Sequence, residues 1–180
     1  MSHENGIGTK ITSTKPLNEN GNLKTLSFGD STNYSSTNII GTFLNGEYLN
    51  NYLTEENRNM IEDNTTWYLG AVADGVNYIF AKYKNTNMSE YATNTKAKVG
   101  LLRMGELMSG QFDAYENSSD YWLLTPFSQF PERIVDKSSY AGFNSPAATY
   151  AIKPSFNLKE NIIITSGTGT KEDPFILSVQ

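Results

Sequence analysis

The 180-residue chain contains no cysteine and one histidine, His3. Without cysteine there is no disulfide, no thiolate metal site and no cysteine nucleophile. A Ser-His-Asp relay, a histidine-ligated zinc and histidine general-base chemistry would all have to rest on that one residue near the start, and are set aside. There is no run of Lys and Arg, and the formal charge is −5. The electrostatic footprint of nucleic-acid binding is therefore missing. No apolar run approaches the ~20 residues of a membrane-spanning helix. Charged residues make up only 18% of the chain, so much of its polar surface must come from Asn, Ser, Thr and Tyr.

A chain of this length buries about 70% of its unfolded surface and needs no covalent staple. One domain is expected over residues 23–180, preceded by a tag and flexible lead-in at 1–22. Met1-Ser2-His3 reads as a start residue and cloning remnant, which implies an export signal removed upstream. The lack of cysteine suits a cytosolic protein and equally an exported protein of a Gram-positive bacterium. Eleven tyrosines on a weakly charged background suit extracellular contacts with sugar or protein. Codon drift in an AT-rich genome gives the same composition, and both readings stay open.

Short β patterns occur at 7–11 and 23–28. Ile39, Ile40, Phe43 and Leu44 then fall at helical spacing, with Ser36 or Thr37 as N-cap. Gly46 is expected to interrupt this helix before Tyr48, Leu49, Tyr52 and Leu53 resume the apolar stripe. Thr54 should cap a second helix, with Glu55 and Glu56 in its positive first turn. Met60 and Ile61 would form its buried face, and this whole stripe is read as core. Residues 66–83 switch to strand character, and Asp74-Gly75 is a hairpin signal. Residues 84–98 read as loop.

Val99 to Met104 and Tyr121 to Leu124 read as buried strands, the second closed by Pro126. A short helical turn is expected at 105–108. Residues 127–150 read as a long irregular display segment. Strands follow at 149–158 and 162–164. A Gly/Thr turn at 165–173 leads to an edge strand at 174–177.

Four motifs occur in order: Val99-Gly100-Leu101-Leu102-Arg103-Met104-Gly105-Glu106, Tyr121-Trp122-Leu123-Leu124-Thr125-Pro126, Ile152-Lys153-Pro154-Ser155-Phe156-Asn157-Leu158, and Gly167-Thr168-Gly169-Thr170-Lys171-Glu172-Asp173-Pro174-Phe175. Together they resemble an uncharacterised domain family of Gram-positive exported and surface proteins, over residues 33–178. Its pattern runs W-L-x-(S/T)-P, R-P-(V/S)-(I/F)-x-L, then G-x-G-T-x-x-(D/N)-P-(Y/F). That family is similar to C-type-lectin-like domains. The resemblance implies an α+β fold with two helices packed on a small twisted antiparallel sheet and long irregular loops that carry ligand contacts. It also implies an extracellular display module, in some relatives carried on a pilin-like stem. The chain departs from sugar-binding lectins, because it has no Glu-Pro-Asn, Gln-Pro-Asp or Trp-Asn-Asp triplet to hold calcium. Lys153 stands where the pattern usually has arginine, which removes a bidentate fork.

Other chemistry is weakly marked. Gly167-Thr168-Gly169-Thr170-Lys171 fails the phosphate-loop spacing and reads as a tight turn. Glu106, Asp113, Glu116, Asp120 and Glu132 could pair as acids for glycoside hydrolysis, but nothing in their spacing selects a pair. Lys153 is open to snorkelling, to pairing with Glu106, or to an isolated surface role. Trp122 and Trp67 are large enough to stack on sugars, although Trp122, in an apolar strand, reads as core. The ligand-binding candidates are Phe127, Phe130, Arg133, Tyr140, Phe143 and Tyr150, since aromatics and arginine are enriched where binding energy concentrates. For any one of them, pinning the loop to the sheet is the slightly favoured account; for the set, binding is favoured.

The expectation is a non-enzymatic extracellular recognition or adhesion domain of a bacterial surface or pilus protein. Its partner would be a host or bacterial surface glycan or protein, with no nucleic acid and no membrane span. No cofactor is expected, although Asn- and Asp-bearing loops can hold calcium without a recognisable motif. A structural pilin or surface-layer subunit, self-assembling through a missing stem, is the alternative. A surface glycan hydrolase ranks third.

Overall fold

The computed structural model describes residues 18, 20, 24–30, 33–72, 92–103, 106, 119–127, 130–135, 141–170 and 172–180. Side chains are described at all of these but 70–72, 92–93, 127, 130–135 and 141. Most of the proposed lead-in at 1–22, the β pattern at 7–11, the Asp74-Gly75 turn and most of the 105–108 turn lie outside the described residues.

The described fold is mixed α+β, with three short helices and several small antiparallel sheets. Helix α1 spans Ile39–Phe43. Its N-cap is Asn38, whose Oδ1 accepts from Gly41 N at 2.8 Å. The expected caps Ser36 and Thr37 instead sit in the preceding turn, where Ser35 Oγ accepts from Thr37 N. Gly46 does not interrupt the helix either. The backbone passes through a π-helical turn, Leu44–Tyr48, into α2, Leu49–Asn51. A widened turn absorbs a helical irregularity without breaking the ladder.

Helix α3, Glu55–Met60, begins as its sequence dictates. Thr54 has extended backbone, and its Oγ1 accepts from Asn57 N at 3.2 Å. Glu55 and Glu56 occupy the first turn and Arg58 the last, each matched to the sign of the helix dipole there. The apolar stripe is buried: Ile40, Phe43, Leu44, Tyr48, Leu49, Leu53, Met60 and Ile61.

Strand β1, Thr25–Leu26, is the first of five in the main sheet. Strand β2, Thr65–Val72, pairs antiparallel with β3, Ala92–Ala97. This corrects the loop expected over 84–98, at least from Ala92 onward. Strand β4, Gly100–Leu101, is only two residues long and pairs with β9, Pro154–Ser155.

Strand β5 runs Tyr121–Phe127, past the proline expected to close it. Pro126 sits at a register shift, where a missing N–H costs the ladder nothing. Strands β6, Phe130–Val135, and β7, Ala141–Phe143, continue as an antiparallel meander. Part of the expected irregular display segment is therefore sheet. Strand β8, Tyr150–Ala151, completes the order β1-β8-β5-β6-β7. It lies antiparallel to β1 and parallel to β5. The single strand expected over 149–158 is thus divided between β8 and β9, which belong to different sheets.

Strands β10, Ile162–Ser166, and β11, Ile176–Val179, form a separate antiparallel ribbon. Gly167 and Gly169 turn the chain between them with φ of 90° and 80°. Both are conformations that glycine adopts freely and other residues resist. The tight turn expected here is present.

Strand β5 explains why its sequence is continuously apolar. Trp122 and Leu124 face the main core with the helices, Phe28 and Trp67, whereas Tyr121 and Leu123 join Ala151 and Leu102 in a second cluster. A strand buried on both faces cannot alternate. Trp122 anchors the centre. Its Nε1 donates to Leu26 O at 2.7 Å, and its ring meets Phe28 and Tyr150 edge-on at 5.2 and 4.7 Å. Among the described residues no helix is long and apolar enough to cross a membrane.

Candidate functional site

The six candidate residues separate once the strands are placed. Phe127 and Phe130 are register partners where β5 turns into β6. Arg133 on β6 and Phe143 on β7 are register partners one strand further out. Tyr140 lies outside the described residues. Tyr150 sits on β8, inside the sheet, and its environment is different.

Tyr150 is half-buried and packs against the main core. Its ring stands at 90° to the Trp122 indole. Its hydroxyl is hydrogen-bonded to Asn144 Nδ2. These contacts make the ring a strut between β8 and the 144–148 turn. That turn is self-bonded: Ser145 N donates to Asn144 Oδ1 and Ala148 N to Ser145 O. Pro146 O accepts from Phe28 N at 2.8 Å and ties the turn to the segment after β1.

Phe143 is the opposite case. It ends the edge strand of the five-stranded sheet and is 56% exposed. More than half of the residue stays accessible to water. The strand is short, and its three residues, Ala141, Gly142 and Phe143, carry no charge. Arg133, opposite Phe143 in register, brings a guanidinium-bearing residue to the same edge. Register therefore sets four of the candidates in two pairs, Arg133 with Phe143 across β6 and β7, and Phe127 with Phe130 at the β5–β6 turn.

The acids considered for hydrolysis do not assemble from what is described. Glu106 is committed locally: its Oε1 accepts from Arg103 Nη2 at 2.5 Å and its Oε2 from Arg103 N at 3.0 Å. Asp113, Glu116 and the Glu132 side chain lie outside the described residues. Asp120 O accepts from Ala151 N at 3.0 Å, a sheet contact. Lys153 places its ammonium 3.6 Å from the centroid of the Tyr121 ring. A cation over an aromatic face gains from the ring quadrupole, so Lys153 covers the second cluster at β5. Burial raises the Tyr121 hydroxyl above its ordinary pKa.

Three groups the sequence left unremarked proved to be organised. Asp63 receives Lys98 Nζ at 2.7 Å and Lys159 Nζ at 3.3 Å, joining the end of α3 to β3 and to the approach to β10. Lys98 first and Lys159 second hold its carboxyl below the usual range. Asn45 and Tyr34 meet at Val99, as taken up below. No spacing rule could have paired residues so far apart. Among the described residues no three His, Cys, Asp or Glu side chains converge as metal ligands.

Comparison of the chain with protein-family models, with curated protein sequences and with solved structures found no match. The functional reading therefore rests on the geometry of the β6–β7 edge and on the sequence resemblance.

Proposed function

We propose that the chain is a non-enzymatic recognition domain of C-type-lectin-like type, displayed outside a bacterial cell and binding a surface glycan or protein through its β6–β7 edge. The observation that carries this reading is Phe143, more than half exposed on an uncharged edge strand and opposite Arg133. Aromatic residues and arginine are residue types that concentrate binding energy, and register sets Phe143 and Arg133 opposite one another. The short helices and the small, mostly antiparallel sheet are compatible with the lectin-like arrangement. The test is binding of the purified domain to a broad glycan array, once with calcium and once with chelator. A selective signal that disappears in Phe143→Ala supports the reading, and dependence on chelator would reveal a metal. A blank array in both conditions removes the glycan arm, and capture from surface-protein extracts then tests the other.

A second reading, an assembly subunit, is favoured by the β10–β11 ribbon. Ile176 and Val179 are 57% and 59% exposed there, and Ile163 and Ile164 are each 40% exposed. Concentration-dependent light scattering that Ile176→Lys abolishes would support it.

A further inference from the structure

The turn between β10 and β11 holds the Asp173–Pro174 peptide bond in an arrangement that resembles an acyl-transfer site. Thr168 N and Gly169 N both donate to Asp173 O, at 3.1 and 3.0 Å. Thr168 Oγ1 lies 3.5 Å from the same oxygen. Two backbone donors thus converge on this carbonyl oxygen, beside the place where an oxyanion develops when the carbonyl carbon is attacked. Thr168 N is also 2.9 Å from Asp173 Oδ2. One N–H thus draws the side-chain carboxyl and the main-chain carbonyl of the same residue toward a common point. Asp173 N is held in turn by Thr170 Oγ1 at 3.0 Å. The positive φ of Gly167 and Gly169 keeps the donors in place, because a Cβ at Gly167 would lie 2.1 Å from Pro174 O and one at Gly169 would lie 2.4 Å from the Phe175 ring.

We propose that this turn promotes cleavage of its own Asp173–Pro174 bond. A carboxyl oxygen of Asp173 bonds to the Asp173 carbonyl carbon, and the two N–H groups hold the charge that develops on the carbonyl oxygen. The bond to Pro174 then breaks, and the carboxyl proton passes to the prolyl nitrogen, the leaving group. Water opens the resulting five-membered anhydride. The products are a chain ending in Asp173 and a peptide beginning at Pro174. No reactant besides water is consumed. Cleavage leaves β11 joined to the domain by non-covalent contacts, its ladder with β10 among them, so the strand could then be exchanged or lost. This inference is independent of the recognition reading, and each can fail without the other.

The test follows the intact mass of the full chain in mildly acidic buffer, folded and unfolded in urea. The folded chain should lose the seven residues Pro174–Gln180 at least about tenfold faster than the unfolded chain, a modest share of what oxyanion donors supply elsewhere. Asp173→Asn, shown folded by its melting curve, should remain intact. In heavy-oxygen water, label should enter the Asp173 side-chain carboxyl as well as the new terminus, because water can open the anhydride at either carbonyl. A folded chain that stays intact, an unfolded chain that cleaves as fast, or label confined to the terminus would overturn the proposal. The last two readouts apply to the wild-type chain and hold even if the variant does not fold.

Discussion

Asn45 grips both backbone groups of Val99: its Oδ1 accepts from Val99 N at 2.9 Å and its Nδ2 donates to Val99 O at 3.0 Å. One side chain thereby ties the π-helical turn to the segment that leads into β4. Its amide also donates to Gly41 O at 3.0 Å and to Tyr34 Oη at 3.0 Å. Tyr34 in turn donates to Val99 O. Val99 is fully buried, so its polar groups depend on these partners.

Replacing Asn45 with Leu should therefore cost roughly 1–3 kcal/mol, because a buried N–H is left without its acceptor. Urea unfolding measures this directly. A midpoint equal to wild type would show that water or a shifted backbone replaces the amide.

Tyr34 makes the same node sensitive to alkali. Burial, which outweighs the opposing hydrogen bond from Asn45, pushes its hydroxyl up from 10.0 to about 12. The unfolded chain releases this proton near pH 10 while the folded chain retains it. The contribution of Tyr34 is thus fully present below pH 10 and is lost as pH rises from 10 to about 12. The loss amounts to about 3 kcal/mol, because each tenfold change in acidity is worth roughly 1.4 kcal/mol. Thermal melts across this range should show it, and Tyr34→Phe should flatten the decline. Tyr121 is displaced in the same direction and leaves a residual slope.

How much of this was legible from the chain differs by element. Thr54 could be read as a cap because capping is local: the acceptor and its N–H lie three residues apart. The run from Tyr121 to Leu124 could be read as core because both of its faces are covered. Strand β3 could not, since Asn94, Thr95 and Lys96 show no apolar alternation and their pairing comes from β2. Strands β6 and β7 were hidden by Pro131 and Gly142, which punctuate sequence; here Pro131 falls beside the register shift of the β5–β6 pair, and Gly142 sits in regular register with Ile134. For the site, the aromatic and arginine types were legible. Which of them would be opposite one another, Arg133 with Phe143, is a property of register across a meander and had no local signal.

Gly100 shows how tightly β4 packs. A Cβ there would stand 2.7 Å from the Trp67 indole, whose Nε1 is fixed by donation to Ala97 O at 3.0 Å. Gly100→Ala should therefore destabilise by about 1–3 kcal/mol, the usual cost of overpacking a core. An unchanged melting temperature would mean that the indole can move aside.

Tyr150 and Phe143 should behave in opposite ways when truncated to alanine. Tyr150→Ala removes a ring from the Trp122 contact and should cost about 3 kcal/mol. Phe143→Ala removes an exposed ring and should stay within about 0.5 kcal/mol of wild type. Calorimetry on the two variants separates a strut from a surface residue.

The measurement that bears most directly on the recognition reading is the glycan array, run in parallel on the wild-type domain and on folded Phe143→Ala. The account predicts a selective wild-type signal that the variant loses while its melting curve is unchanged. An equal signal from both proteins would contradict the assignment of the β6–β7 edge as the binding surface.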